Sequence, residues 1–294
     1  MRTGCGAGPG DSHRASPYLV LDNVRVELGG KPVLHDISLT VARRELVCVI
    51  GKSGGGKTTL LRTIAGLLPA ASGTISLGGS AVTGPSPRTA VVFQHFGLFP
   101  WKTVRSNIVY GLRVQGRPVD RDLIGRTLAA LSLRAVADYY PAQLSGGMRQ
   151  RVGIARALVT EPEMLLLDEP FSSLDAITRE SLQDEVLRLW EATASMTALH
   201  VTHDIDEALL MADRILVVSG PPGRITYEMT VDLPRPRDSL QIRSHPDYPG
   251  LRRRLWDSLG DPGTGPVADP AEEDALGPTP GQAHPKTAPL PEPR

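Results

Sequence analysis

The 294-residue chain has only two cysteines, Cys5 and Cys48, and aromatic residues make up just 4% of it. Cys5 lies in a polar, glycine-rich leader and Cys48 in an apolar run, so no disulfide framework is available and the usage fits a reducing compartment. An excess of one charge is missing too: 32 Lys and Arg balance 32 Asp and Glu. That removes the bulk attraction on which nucleic-acid binding relies, and no nucleic-acid partner is expected. No apolar run approaches the ~20 residues that span a bilayer, and Met1 to Pro17 lack the apolar core of a signal peptide. With 40% hydrophobic residues the chain is globular and of a size for one or two domains. A membrane role would have to come through another chain.

What is present is organised around Gly51-Lys52-Ser53-Gly54-Gly55-Gly56-Lys57-Thr58, which fits the phosphate-loop pattern G-x-x-x-x-G-K-S/T. The apolar run Leu46 to Ile50 before it reads as a strand. Thr59 to Gly66 after it reads as a helix stopped by glycine. Glycines let backbone N–H groups converge on phosphate oxygens, and the helix N-terminus adds its partial positive charge. Lys57 would reach the β- and γ-phosphates and Thr58 would ligate Mg²⁺. The bland alternative is a glycine-rich turn without a ligand.

Along the chain, Leu19 to Leu28 and Val33 to Val41 read as strands joined by a Gly29-Gly30 hairpin turn, and Gly73 to Leu77 as another short strand. Ala90 to Phe93 reads as a short buried strand ending at Gln94. From Leu98 to about Thr160 the pattern turns helical, with Leu123, Ile124, Thr127, Leu128 and Leu131 on one face. Apolar strands follow at Met164–Leu167, Thr197–Thr202 and Arg214–Val218. Alternating β and α segments with continuously apolar strands imply an α/β fold whose parallel sheet is covered on both faces. Asp261 to Arg294 has no aromatic residue and holds nine of the chain's 26 prolines, a composition for disorder. Met1 to Pro17 reads the same way.

A second anion-binding helix end stands at Leu144-Ser145-Gly146-Gly147-Met148-Arg149-Gln150-Arg151. Ser145 sits where an N-cap belongs, and Gly146 and Gly147 leave the first N–H groups bare. One phosphate tail rarely needs two such grips in one chain. Head-to-tail dimerisation would use both, this helix end closing over ATP held by the other subunit. Asp168 and Glu169 end the apolar run Met164–Leu167; an aspartate there can hold hydrated Mg²⁺, and Glu169 is placed to orient or deprotonate water. As alternatives, the acidic pair could cap the next helix and Gln94 could be an ordinary surface glutamine. His203 follows a strand, and Asp204 to Glu207 opens a helix with capping-box spacing. His200, inside the strand, is expected to point into packing.

From about Leu19 to Pro236 the sequence resembles the ATP-binding-cassette ATPases, with Leu144-Ser145-Gly146-Gly147-Met148 similar to the family signature. Met148 departs at a position usually held by Gln, so a polar contact there cannot be assumed. The resemblance implies a P-loop NTPase with a RecA-like core, an antiparallel β subdomain and an inserted α-helical subdomain. The expected organisation is a leader at 1–17, the ATPase domain at 18–250 with its helical subdomain at about 98–160, and a tail at 251–294 disordered from about 261. It implies ATP and Mg²⁺ as cofactors, with Gly51 to Gly56, Lys57, Thr58 and Thr59 on nucleotide, and Thr58, Gln94 and Asp168 on metal. Catalysis would fall to Lys57, Glu169 and His203, the last a switch histidine on the γ-phosphate. Ser172-Ser173-Leu174-Asp175 resembles the loop linking the two ATP sites. The aromatic residue that stacks on adenine in the family is replaced by Leu28, or the matching place is Glu27.

Phe99-Pro100-Trp101 is either a receiving site for a permease helix or helical-subdomain core. The stretches Ser219 to Ile225 and Val231 to Arg237 resemble those of importers of nitrate, sulfonates, taurine and related small anions. The resemblance therefore implies a homodimeric ATPase on the cytoplasmic face of a membrane, energising a permease and, indirectly, served by an extracytoplasmic substrate-binding protein. Two other classes compete: a soluble cassette ATPase of DNA repair or translation, and a nucleotide-binding regulator without turnover, against which Glu169 argues.

Overall fold

A computed structural model describes residues 17–95, 97–193 and 195–260. The disorder expected of the leader and of the stretch from 261 lies outside these residues, except that Pro17 opens the first strand.

Strands β1 (Pro17–Leu28) and β2 (Lys31–Ala42) form the expected hairpin, Leu28 facing Lys31 across the Gly29-Gly30 turn. With β4 (Ser72–Leu77) and β5 (Ser80–Ala81) they make an antiparallel sheet in the order β2-β1-β4-β5. The second sheet is built from β3 (Leu46–Ile50), β6 (Thr89–Val92), β7 (Met164–Asp168), β8 (Thr197–Thr202), β9 (Arg214–Ser219) and β10 (Arg224–Thr230). Its order is β10-β9-β3-β8-β7-β6, parallel throughout except for the antiparallel β10.

Because side chains alternate along a strand, β3 feeds two separate apolar clusters. Val47 and Val49 pack with the antiparallel sheet and with Leu60 and Leu61 of α1 (Lys57–Ile64). Leu46, Cys48 and Ile50 face the opposite side. There they meet α2 (Val104–Ile108), α3 (Tyr110–Val114), α4 (Arg121–Ala130), α5 (Gly146–Leu158), α6 (Ala176–Ala192) and α7 (Ile205–Met211) through one buried cluster. Burial on both faces is what a parallel sheet requires, and it pushes the Cys48 thiol pKa well up.

The structure departs from expectation in three places. The strand before Gln94 is Thr89–Val92, with three of its four residues only partly buried, and Phe93 is exposed. As the edge strand it lacks cover on one side. After β9 lies β10, a strand not expected there, although Arg224 to Thr230 alternates polar and apolar residues. Finally α8 (Ser239–Arg243) and α9 (Tyr248–Gly260) extend the fold, with Tyr248, Leu251 and Leu255 buried. The boundary expected at 250/251 therefore falls inside α9. Arg237 ties this extension down: its buried guanidinium donates to the carbonyls of Val231, Leu233, Leu209 and Ala212. Burial lowers its pKa to about 10. No helix among the described residues is long and apolar enough to cross a membrane.

Candidate functional site

The C-terminal ends of β3, β7 and β8 lie side by side, the place where open α/β sheets present their loops to ligands. From β3 the chain enters Gly51–Gly56. A Cβ on Gly51 would stand 2.0 Å from the Val218 carbonyl oxygen, and one on Gly56 would stand 2.6 Å from Leu34 Cδ2. Gly56 has φ +87° and is the N-cap of α1, with no side chain to cover the first N–H groups. A neighbouring turn presses on the loop: a Cβ on Gly223 would lie 2.1 Å from the Gly55 carbonyl. That turn is fastened to β2 by His35 N–H to the Gly223 carbonyl at 2.9 Å and Gly223 N–H to the Val33 carbonyl at 2.8 Å. The packing role of Gly223 joins segments far apart in the chain and carries no local sequence signal.

Lys57 opens α1 with its Nζ donating to the carbonyls of Gly51, at 2.7 Å, and Lys52, at 3.1 Å. Burial lowers its pKa, while Glu169 and Asp168 oppose the shift. Thr58 Oγ1 donates to Asp168 Oδ1 at 2.9 Å across 110 positions of sequence. Asp168 ends β7 almost fully buried, and desolvation raises its carboxyl pKa despite the Thr58 hydrogen bond. A hydroxyl and a buried carboxylate are hard oxygen donors of the kind Mg²⁺ takes alongside water and phosphate. Among the described residues no cluster of three or more His, Cys, Asp or Glu forms a site for a metal held by protein alone.

Glu169 has φ +47°, a left-handed conformation unusual for a side chain of its size. Its N–H still donates to the Val201 carbonyl at 2.9 Å, and its carbonyl accepts from Ser172 Oγ at 3.0 Å. The bend turns the carboxylate toward the next loop, where Oε2 lies 3.2 Å from His203 Nδ1. The helix after His203 is capped by Asp204, whose carboxylate accepts from Asp206 and Glu207 N–H. The reciprocal half of the expected capping box is absent, because Asp204 N–H donates to Thr202 Oγ1 and the Glu207 carboxylate is used elsewhere. It pairs with the fully buried His200 through Nε2 and accepts from Gln183 Nε2 at 2.9 Å. His200 thus points into packing as expected, but into a polar bridge joining β8, α7 and α6.

Lys57, Thr58, Asp168, Glu169 and His203 are thereby brought together. Gln94 is exposed two positions beyond Val92, which pairs with Leu167, so it is level with Glu169 on the neighbouring strand. Leu28 is 45% exposed at the tip of the hairpin whose Leu34 lies under Gly56. Ser145 stands apart. Its Oγ accepts from Met148 N–H at 3.2 Å at the solvent-facing start of α5. A Cβ on Gly147 would meet Thr178 Cγ2 at 2.7 Å, so α5 begins against α6. Among the described residues no hydrogen bond or ion pair joins Ser145 to the phosphate loop. Asp175 caps α6 by accepting from Thr178 N–H. Phe99 packs on the Tyr110 ring at 4.4 Å, whereas Trp101 is 70% exposed. The buried Asn107 side chain fixes their backbone, accepting from Phe99 N–H and donating to the carbonyls of Phe99, Lys102 and Thr103.

Comparison with known proteins gives a consistent set. The family model described as ABC transporter matches residues 34–172. An aliphatic sulfonates import ATP-binding protein of Burkholderia cenocepacia is 46% identical over 83% of this chain and 88% of its own length. A nitrate import ATP-binding protein of Synechococcus elongatus is 45% identical over 83% of this chain, which spans only 38% of that longer protein. Among solved structures, a dimeric ATP-binding cassette in a post-hydrolysis state with ADP and phosphate bound is similar with TM-score 0.65 and 29% identity. That match covers 73% of this chain and 99% of the other.

Proposed function

The chain belongs to the ABC transporter ATP-binding proteins, and on that premise we propose that it is the ATP-hydrolysing subunit of an importer for a small anion such as a sulfonate, taurine or nitrate. The observation that carries the proposal is the convergence of Lys57, the Thr58–Asp168 pair and the Glu169–His203 pair at the C-terminal ends of neighbouring parallel strands.

In this reading the N–H groups of Gly51 to Thr59 and the Lys57 ammonium hold the phosphates of ATP. Thr58 and Asp168, with Gln94, would hold Mg²⁺, whose charge offsets that of the phosphates. Glu169 accepts the proton of the attacking water, and His203 hydrogen-bonds the γ-phosphate while its other face fixes the Glu169 carboxylate. Leu28 gives the base apolar contact without a π stack. Ser145, Gly146 and Gly147 contact the γ-phosphate held by a second copy of the chain, which explains why this helix end is exposed and separate from the loop. The relatives named as import proteins support a permease partner, with Trp101 facing it, and an extracytoplasmic binding protein acting through that permease. The ATPase would then sit on the cytoplasmic face of the membrane. A role in DNA repair or translation finds no support among these relatives.

The test is Glu169→Gln. Turnover should fall by about 10²–10⁴-fold, and the variant with ATP and Mg²⁺ should elute as a dimer in size-exclusion chromatography with light scattering. Unchanged turnover, or a variant that stays monomeric at saturating ATP, would overturn the proposal.

A further inference from the structure

At the opposite end of the parallel sheet, where β3, β8 and β9 begin, lies a cavity of about 730 Å³. Five strand residues separate it from the phosphate loop, roughly 15 Å at strand rise. Its position and lining give it no part in the nucleotide site described above.

The turn from β2 to β3 carries Arg44 at φ +64°. That backbone conformation favours glycine, and a large side chain is strained there. The Arg44 side chain is nevertheless exposed on the cavity wall and makes no hydrogen bond or ion pair among the described residues. Its backbone N–H donates to Thr197 Oγ1 at 3.0 Å, which holds the turn in place. A residue kept at a conformational cost, with its charged group left open, is a reason to look for what the charge meets.

Two more guanidiniums line the same space, those of Arg43 and Arg235. Three carboxylates line it as well, but each is already met. Glu45 pairs with Arg214 at 2.9 Å, and Glu191 and Asp213 pair with Arg235 at 2.9 and 2.8 Å. Arg43 lies over the Tyr18 ring at 4.5 Å and reaches Glu163 only at 3.8 Å. The unspent charge of the cavity is therefore positive and sits at Arg44, with Arg43 beside it held only by a long ion pair and a ring contact. The rest of the wall is Thr193 with three apolar residues: Trp190, stacked under Arg235 at 4.6 Å, Met196 and Pro236. A cavity of this size, which offers apolar surface beside charged groups, is of the kind that takes small organic ligands.

We propose that this cavity binds a small organic anion, its sulfonate or carboxylate head on Arg44 and Arg43 and its carbon body against Trp190, Met196 and Pro236. Planar guanidiniums suit a trigonal or tetrahedral oxyanion through paired N–H donors. The site is open to salt, so binding weakens as ionic strength rises.

Isothermal titration of the full chain without nucleotide, at low salt, tests the proposal independently of whether the chain hydrolyses ATP. Butane-1-sulfonate is the probe, with butyrate, methanesulfonate and butylamine beside it. Butanesulfonate should bind, and butylamine should give no heat. Methanesulfonate, which lacks the body, should bind at least about tenfold more weakly, a factor worth about 1.4 kcal/mol. A preference over butyrate would mark the ligand as the sulfonate class, and equal binding a general organic anion; either supports the site. Arg44→Gly should lose at least about tenfold in affinity while folding as well as the parent, since glycine suits φ +64°. Lys57→Ala should bind the probe unchanged. The proposal is overturned by absence of binding up to about 10 mM, by Arg44→Gly binding as the parent does, by butylamine or methanesulfonate matching butanesulfonate, or by loss of binding in Lys57→Ala.

Discussion

Two helices of this protein begin in glycine-rich turns that suit an anion, and they are built in different ways. The start of α1 is wedged: Val218, Leu34 and the Gly223 turn close on the loop from three directions, and Lys57 is folded onto its carbonyls. The start of α5 is open: Ser145 caps its own helix, Gly146 has only the Arg149 guanidinium 4.0 Å from where its Cβ would stand, and Met148 is exposed. The first is complete within one chain, with Thr58, Asp168, Glu169 and His203 around it. The second has an exposed face and no such groups around it among the described residues. A helix end that binds anions is useful at a surface only if something else brings the anion, which is the physical case for a second subunit.

The sharpest way to break the comparison is Lys57→Ala, which removes the buried cation of the wedged end. ATP turnover should fall by roughly 10²–10³-fold or more, by analogy with loss of a single charge-stabilising donor; retained turnover in a steady-state phosphate-release assay would deny the loop its role. Next come the paired substitutions Gly56→Ala and Gly146→Ala. The first meets both the left-handed backbone and Leu34, and should cost about 2–4 kcal/mol in denaturant unfolding. The second should stay within about 1 kcal/mol of the parent yet lower turnover. Equal stability losses at the two sites would erase the distinction between wedged and open ends.

A smaller effect is expected from Leu28→Tyr, which adds a ring beside the wedged end. Nucleotide affinity should rise by about 1–3 kcal/mol, the worth of one base–aromatic stack, and the parent should discriminate poorly between ATP and GTP. A parent with widely different efficiencies for the two would contradict this. The smallest change concerns Asp168. Burial raises its carboxyl pKa above 3.8, so the native state holds that proton more tightly than the unfolded chain does. Stability without nucleotide therefore falls as pH rises through the window above 3.8, and the penalty persists at neutral pH. Asp168→Asn should gain stability at pH 7, with the gain vanishing toward acid pH, while turnover is lost. A thermal-melt series against pH that shows no such convergence would remove the desolvation argument.

Much of this was legible beforehand because the signals are local. Gly51 to Thr58 must converge on phosphate through backbone alone, so residue types at fixed spacing announce it. Leu46–Ile50, Met164–Leu167 and Thr197–Thr202 are apolar on both faces and so announce a covered parallel sheet. Signals failed where a period was short or a partner was distant. β10 alternates polar and apolar residues over only seven positions directly after a turn, and α9 owes its burial to Leu251 and Leu255 joining the cluster of helices earlier in the chain. The Glu207 side chain looked like a local cap and instead reaches His200 and Gln183.

The sequence by itself therefore determined the loop, the strands that carry it, the two acidic residues at a strand end and the serine-led helix, since each is a property of a few neighbouring residues. Only the tertiary structure decided that Thr58 meets Asp168, that Glu169 turns to His203, that Gly223 braces the phosphate loop and that Arg44 opens onto a cavity. Those contacts join distant segments, 168 positions apart in the case of Gly55 and Gly223. They exist because the sheet places β8 between β3 and β7, an order that no local pattern of apolar and polar residues encodes.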